Sequence, residues 1–395
     1  MNEILILGAG YTGMAATVGL VGRLKTRDDV HITLVNPQTR FTERLRLHQT
    51  ASGESLADLQ IPDQLEGTGV DFVKGWVTGI DTDAQSVRID DAYALRYDTL
   101  IYALGSVADT ETVSGVDEFA YTLNSAQDAT LLAGHLDRLA DGIVVVAGGG
   151  LTGVESAAEI AEQHPELDVV LLSRQVPGSM MGASARARLH AGLGRLGVRV
   201  HAGVEIVKVM SDGVALDDGE VVDAQAVLWT TGVRVSPIAA AAGLEVDDRG
   251  RIVTDESLRS VTHPNVYAIG DAAAIRQGYG VMHGTCQSGI PTALHAAASI
   301  VRELKGKQPK KFRFGYVHQP VSLGRHDGVI QFTHADDSPG RFYLAGRCAV
   351  AYKETVSSSP WTTYRMLKVL PALGAATLRR GRRSTRDTAR SSRPR

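Results

Sequence analysis

The feature that most constrains this sequence is a strand–glycine turn–helix–strand unit that occurs twice. The first copy runs Glu3-Ile4-Leu5-Ile6-Leu7, then Gly8-Ala9-Gly10-Tyr11-Thr12-Gly13, a helix-like stretch to about Lys25, and His31-Ile32-Thr33-Leu34-Val35. The second runs Ile143-Val144-Val145-Val146-Ala147, then Gly148-Gly149-Gly150-Leu151-Thr152-Gly153, a helix through about Gln163, and Val169-Val170-Leu171-Leu172. In such a unit the first glycine turns the chain off the strand, and the second lets backbone approach a pyrophosphate. The third lets helix and strand pack closely. A pyrophosphate then sits at the helix N-terminus, where unpaired N–H groups and the helix dipole favour negative charge. One such motif is weak evidence; two, each with both strands and the helix in place, predict two dinucleotide sites.

Three further strands end in small residues. Asp98-Thr99-Leu100-Ile101-Tyr102-Ala103-Leu104-Gly105 lies between the copies, and Ala226-Val227-Leu228-Trp229-Thr230-Thr231-Gly232 follows the second. Gly105 and Gly232 mark places where backbone passes close to a cofactor. Asn265-Val266-Tyr267-Ala268-Ile269-Gly270-Asp271-Ala272 is another apolar strand, delivering an aspartate at its carboxyl end.

With these motifs in this order, residues 1 to about 305 resemble the two-dinucleotide-binding-domain flavoproteins of the pyridine-nucleotide-disulfide oxidoreductase superfamily. Within it the chain is most similar to type II NADH dehydrogenases and apoptosis-inducing-factor-like reductases. The resemblance implies that the first glycine motif (Gly8, Gly10, Tyr11, Thr12, Gly13) holds FAD together with Asn36, Gly105 and Asp271. It implies that the second (Gly148, Gly150, Leu151, Thr152, Gly153) holds NADPH or NADH together with Ser173, Arg174 and Gly232. Asp271 would bond the ribityl chain; standing before three alanines, it could instead cap a helix.

Several positions depart from the family pattern. Asn36 stands where an acid usually holds the adenosine ribose, although its amide still offers an acceptor and a donor. Ser173-Arg174 ends the strand where an acid would select NADH; a hydroxyl and a planar cation suit a 2′-phosphate instead, which leans the reading towards NADPH. Glu155 reaches the nicotinamide by resemblance, or is simply an acid near a helix N-terminus. Residues 36 to 60 contain no cysteine, so disulfide and peroxide reduction by the family's usual cysteines are excluded. Arg44-Leu45-Arg46-Leu47-His48 occupies that slot, either facing the flavin or as an amphipathic segment. Gln287, in the stretch that opens an alanine-rich helix from Ala293 to about Leu304, matches the first glutamine of the quinone-lining motif of type II NADH dehydrogenases; the second corresponds to Pro291.

Bulk properties bound the partners. The only cysteines, Cys286 and Cys348, exclude a disulfide framework and a cysteine-based metal site, and no metal is expected. Between Arg365 and Arg395 ten Lys/Arg face one acid, Asp387, giving +9; with a net charge of −3, residues 1–364 carry −12, which argues against nucleic acid. Pro360–Pro371, apolar with interleaved bases and aromatics, and the Arg-rich end from Arg379 read either as a peripheral contact with anionic lipid or as a helix packed on the body with a solvated tail. The chain enters a strand at once and has no apolar run of roughly 18 residues, so a cytoplasmic location is expected, with attachment to the inner face of the cell membrane as the variant. Pairing with a second copy is left open.

The expected fold class is α/β, with two Rossmann-like domains, the second inserted in the first, and a small α+β C-terminal domain. The expected boundaries are 1–112 and 236–308 for FAD, 113–235 for NAD(P), and 309–395 for the C-terminal part with its basic tail. The expected activity is hydride transfer from NAD(P)H to FAD and then electron transfer to an acceptor, a quinone first. A ferredoxin-type reductase, a flavin oxidase or tailoring enzyme on a small metabolite, and a non-catalytic redox sensor are the alternatives.

Overall fold

The computed structural model describes residues 1–371; the basic stretch from Arg379 lies outside them. Both expected units are present as parallel sheets. In the first, the strands lie in the order Val266–Ala268, Thr99–Tyr102, Asn2–Leu7, Val30–Asn36 and Val70–Lys74. In the second, the order is Arg199–Ala202, Leu167–Ser173, Gly142–Ala147, Ala226–Trp229 and Tyr121–Thr122. The first sheet thus takes strands from both sides of the second sheet's stretch of chain. The two crossings, Val107–Ala108 and Val233–Arg234, pair antiparallel with each other.

Apolar strand residues such as Leu5, Ile6, Leu7, Val144, Val145 and Val146 are buried, as parallel strands covered on both faces require. Tyr11–Leu24 packs against Cys286–Glu303 so closely that a side chain at Gly19 would press on Ala297 and Leu294. The C-terminal part forms the antiparallel sheet His318–Ser322, Gly328–Thr333 and Pro339–Ala345, followed by the helix Arg347–Val369.

That helix decides between the two readings of Pro360–Pro371. Trp361 and Tyr364 are core residues of the first domain: their rings lie 5.2 and 6.1 Å from that of Phe41, and the Tyr364 hydroxyl donates to the Tyr11 carbonyl at 3.0 Å. The aromatics are therefore no lipid-facing anchor, because burying them against Phe41 satisfies both ring and hydroxyl. Among the described residues no helix is long and apolar enough to cross a membrane.

The tightest points of the fold are the glycine turns. Gly8 has φ +92°, and a Cβ at Gly13 would fall on the Gly8 carbonyl oxygen. Gly148, at φ +117°, and Gly153 repeat the arrangement. Gly13→Ala must separate helix from strand, so we expect it to yield protein that fails to fold or to hold FAD, read by circular dichroism and visible absorbance; a yellow, normally stable variant would refute this packing.

Candidate active site

The two glycine turns share the same backbone hydrogen bonds. Gly8 N–H donates to Val35 O and Gly148 N–H to Leu172 O, each at 2.8 Å; Met14 N–H donates to Gly10 O and Val154 N–H to Gly150 O, each at 3.0 Å. At Gly10 and Gly150 a Cβ would meet nothing, and neither helix has a side-chain cap. Two helix N-termini with unspent amides open onto free space, a cradle that fits a diphosphate.

The other predicted residues gather round these turns in different ways. Tyr11 is packed edge-on against Phe41 and serves the core. The Thr12 methyl is enclosed by Gly270 and Gly289, which brings the first turn against the Gly-Asp turn. Asn36 Oδ1 accepts from Ala9 N–H at 2.9 Å and its amide donates to Gln38 O at 2.7 Å, so this side chain braces the glycine loop. Asp271 sits in the short turn Gly270–Ala272, followed by strand and not helix, which removes the cap reading. Its Oδ2 accepts from the Ser106 hydroxyl at 2.9 Å, and Arg44 donates to Ser106 O at 2.6 Å. Gly105 and Gly232 both turn the chain at left-handed φ, +68° and +72°.

On the second turn, Leu151 is half-buried, Thr152 is exposed, and Ser173 lies against Gly149 with its hydroxyl on Gln175 O at 2.8 Å. Arg174 is exposed and stands 3.4 Å from Glu205 Oε1.

Glu155 departs from both sequence readings in its partners. It lies in the second turn of Leu151–Gln163, is buried, and pairs with Lys353 Nζ at 2.5 Å while accepting from Ser322 N–H at 2.9 Å. His48 Nδ1 is 4.0 Å from its other oxygen. The Arg44–His48 slot is thus divided: Arg44 bonds the Ser106 carbonyl, while His48 and Arg46 join a buried charge cluster. Burial first, then Lys353, Arg325 and Arg46, holds the His48 imidazole well below its ordinary value.

One helical turn on, fully buried Glu159 meets Arg325 Nε at 3.1 Å, and Arg325 also pairs with Glu54 at 2.9 Å and Glu354 at 3.0 Å. Gln287 spends its amide on backbone, donating to His318 O at 2.9 Å and accepting from Val317 N–H at 2.6 Å, so it locks the C-terminal sheet to the helix. Ser106, Lys353, Ser322, Glu205 and Arg325 were not legible as site residues. Only Ser106, adjoining Gly105, had a local signal.

The family described as pyridine nucleotide-disulphide oxidoreductase matches residues 2–299. The chain belongs to this family. An NADH dehydrogenase-like protein of Mycobacterium tuberculosis is 31% identical over 354 residues, covering 83% of this chain and 87% of the relative. A type II NADH:quinone oxidoreductase of Staphylococcus aureus is 29% identical over 389 residues, covering 90% and 94%. The solved sulfide:quinone oxidoreductase of Aquifex aeolicus shares the fold at a TM-score of 0.80 and 17% identity, covering 94% of each chain. This pyridine nucleotide-disulphide oxidoreductase is an FAD-dependent NAD(P)H oxidoreductase, binding FAD and NADH or NADPH.

Two outcomes follow from the site. Gly10→Ala fills the open side of the first turn and is expected to fold but purify without FAD, whereas Gly150→Ala keeps FAD and loses bleaching by NAD(P)H; the reverse pattern would exchange the two sites. Burial, the largest cause, pushes the Glu159 carboxyl from an ordinary 4.5 up to about 7, against the pull of Arg325. Ionised Glu159 therefore opposes folding increasingly as pH rises from about 4.5 to 7. Glu159→Gln should raise the melting temperature at pH 8 by on the order of a few degrees, with the gain shrinking towards pH 5; no gain at pH 8 would refute this.

Proposed function

We propose that this enzyme oxidises NADH and passes the electrons through FAD to a quinone. The observation that carries the reading is coverage: the match to a type II NADH:quinone oxidoreductase runs over 94% of that protein, the C-terminal part included. The cysteine-free slot at 36–60 agrees with it, since a dithiol pathway has no residues to use. Bound FAD supplies the chemistry of accepting a hydride and releasing electrons to a second substrate. The chain's own part is to bind and orient: the amides after Gly10 and Gly150 hold the two diphosphates, and Asp271, oriented by Ser106, holds the sugar chain. The domain boundaries stated above belong to this proposal. Gln287 acts in it through its grip on Val317 and His318, where it shapes the edge of the acceptor site.

The choice of NADH over NADPH turns on Glu205. Arg174 by itself would favour a 2′-phosphate, but a carboxylate 3.4 Å away offsets that charge and repels the phosphate. Contact of the Arg-rich stretch beyond Arg379 with anionic lipid is proposed as the way a membrane-dissolved quinone is reached.

Anaerobic titration of the yellow protein tests the reading. NADH should bleach the flavin faster than NADPH, and a menaquinone analogue should restore the colour. Glu205→Ala should raise kcat/KM for NADPH roughly tenfold, equivalent to about 1.4 kcal/mol, and leave NADH little changed. Reoxidation by ferredoxin and not by quinone would replace the proposed acceptor.

A further inference from the structure

His283 lies between the Gly-Asp turn and the C-terminal sheet, and it belongs to no motif used so far. It precedes Gly284, where a Cβ would collide with Asp271 Oδ1, so the chain at 283–284 is pressed onto the aspartate of the flavin site. With Gly270, Met282, Gly284, Ser288 and Thr292, His283 borders a small cavity at that turn.

Three features hold the imidazole in one place. Its ring stacks on Tyr316 with centroids 4.3 Å apart and planes 4° from parallel. The Tyr316 hydroxyl donates to His283 O at 2.7 Å. Nε2 meets Asp337 Oδ2 at 3.1 Å, while half of the side chain stays exposed, at 51%. Asp337 comes from the far side of the seam, in the turn between the strands Gly328–Thr333 and Pro339–Ala345. Its side chain is 10% exposed, its other oxygen is buried without a hydrogen-bond partner, and its backbone is left-handed at φ +66°. Phe314 and Tyr279 extend the aromatic wall behind Tyr316, and burial, the largest cause for both, keeps the phenols of Tyr279 and Tyr316 protonated far above neutral pH. A carboxylate-held imidazole beside a flat aromatic wall suits a planar, apolar acceptor that must be protonated.

We propose that His283, oriented by Asp337, is the proton donor to the quinone acceptor; this rests on the quinone reading above. The balance is NADH + H⁺ + quinone giving NAD⁺ + quinol. The hydride carries two electrons and one of the quinol's two protons. The second comes from imidazolium: with Nε2–H held on Asp337, the Nδ1–H bond breaks, the quinol O–H forms, and solvent reprotonates the half-exposed ring. The charged and titratable groups around it are Asp337, Asp336, Asp271, Tyr279, Tyr316 and, through Asp337, His318.

The test compares two acceptors on FAD-loaded protein. Ferricyanide takes one electron and no proton, whereas a soluble benzoquinone takes both. His283→Gln should keep the visible spectrum, the anaerobic rate of bleaching by NADH and ferricyanide turnover. Quinone turnover at pH 7 should fall by about 10²-fold, and any dependence of that turnover on pH that the wild type shows and ferricyanide turnover does not should vanish. Asp337→Asn, in which asparagine tolerates the left-handed backbone, should lose part of the quinone rate and displace the pH profile. Equal quinone-to-ferricyanide ratios and equal pH profiles in His283→Gln and wild type would overturn the proposal. Wild-type protein that NADH bleaches but quinone does not reoxidise would instead overturn the acceptor reading, and this role with it.

Discussion

The structure rests on how closely a helix can approach the strand before it. At Gly13 and again at Gly153, the place of a Cβ is taken by the carbonyl oxygen of the glycine that ends the strand. That contact seats the helix start at the carboxyl end of the sheet. Hydrogen bonds from Gly8 to Val35 and from Ala103 to Leu7 fix the three neighbouring strands at the same level. The first amides of the helix are then left pointing at open space, where their partial positive charge favours an anion. The second turn repeats this with Gly148, Leu172, Thr230 and Ala147.

What joins the two nucleotide units is the C-terminal helix Arg347–Val369, which reaches into both. Towards its end, Trp361, Tyr364 and Leu367 fill the core of the first domain. Near its start, Lys353 enters the buried face of Leu151–Gln163 and pairs with Glu155. A buried ion pair adds little net stability over an apolar contact, yet leaving one partner unpaired costs about 3–5 kcal/mol. The Glu155–Lys353 pair, with Arg325 clamping Glu54, Glu159 and Glu354, therefore penalises any docking other than the native one. Removal of charge from water at this seam also leaves His48 neutral and Glu159 only partly ionised near neutral pH.

Side chains at the seams serve more than one segment, which explains where local reading stopped. Asn36, which by position suits the adenosine ribose, also braces its own glycine loop. Gln287, which matches a quinone-lining glutamine, bonds Val317 and His318 through both ends of its amide. The helix around Glu155 gives no sign of its partner, which lies 198 residues along the chain, the difference between 353 and 155. Arg44 and His48, four residues apart, face different clusters because Arg44 lies in the 3-10 turn Arg44–Arg46 and His48 in the separate short helix Leu47–Ala51 that follows it.

The sequence alone determined the two glycine turns, their strands and helices and the Gly-Asp strand, because each depends on residues within about 35 positions and on backbone sterics that only glycine relieves. Tertiary structure decided which carboxylates meet which cations, that the aromatics of Pro360–Pro371 turn inward, and that His283 meets Asp337. Those outcomes depend on which distant segments share a low-dielectric interior. Burial sets their energies, and no spacing within a single segment encodes it.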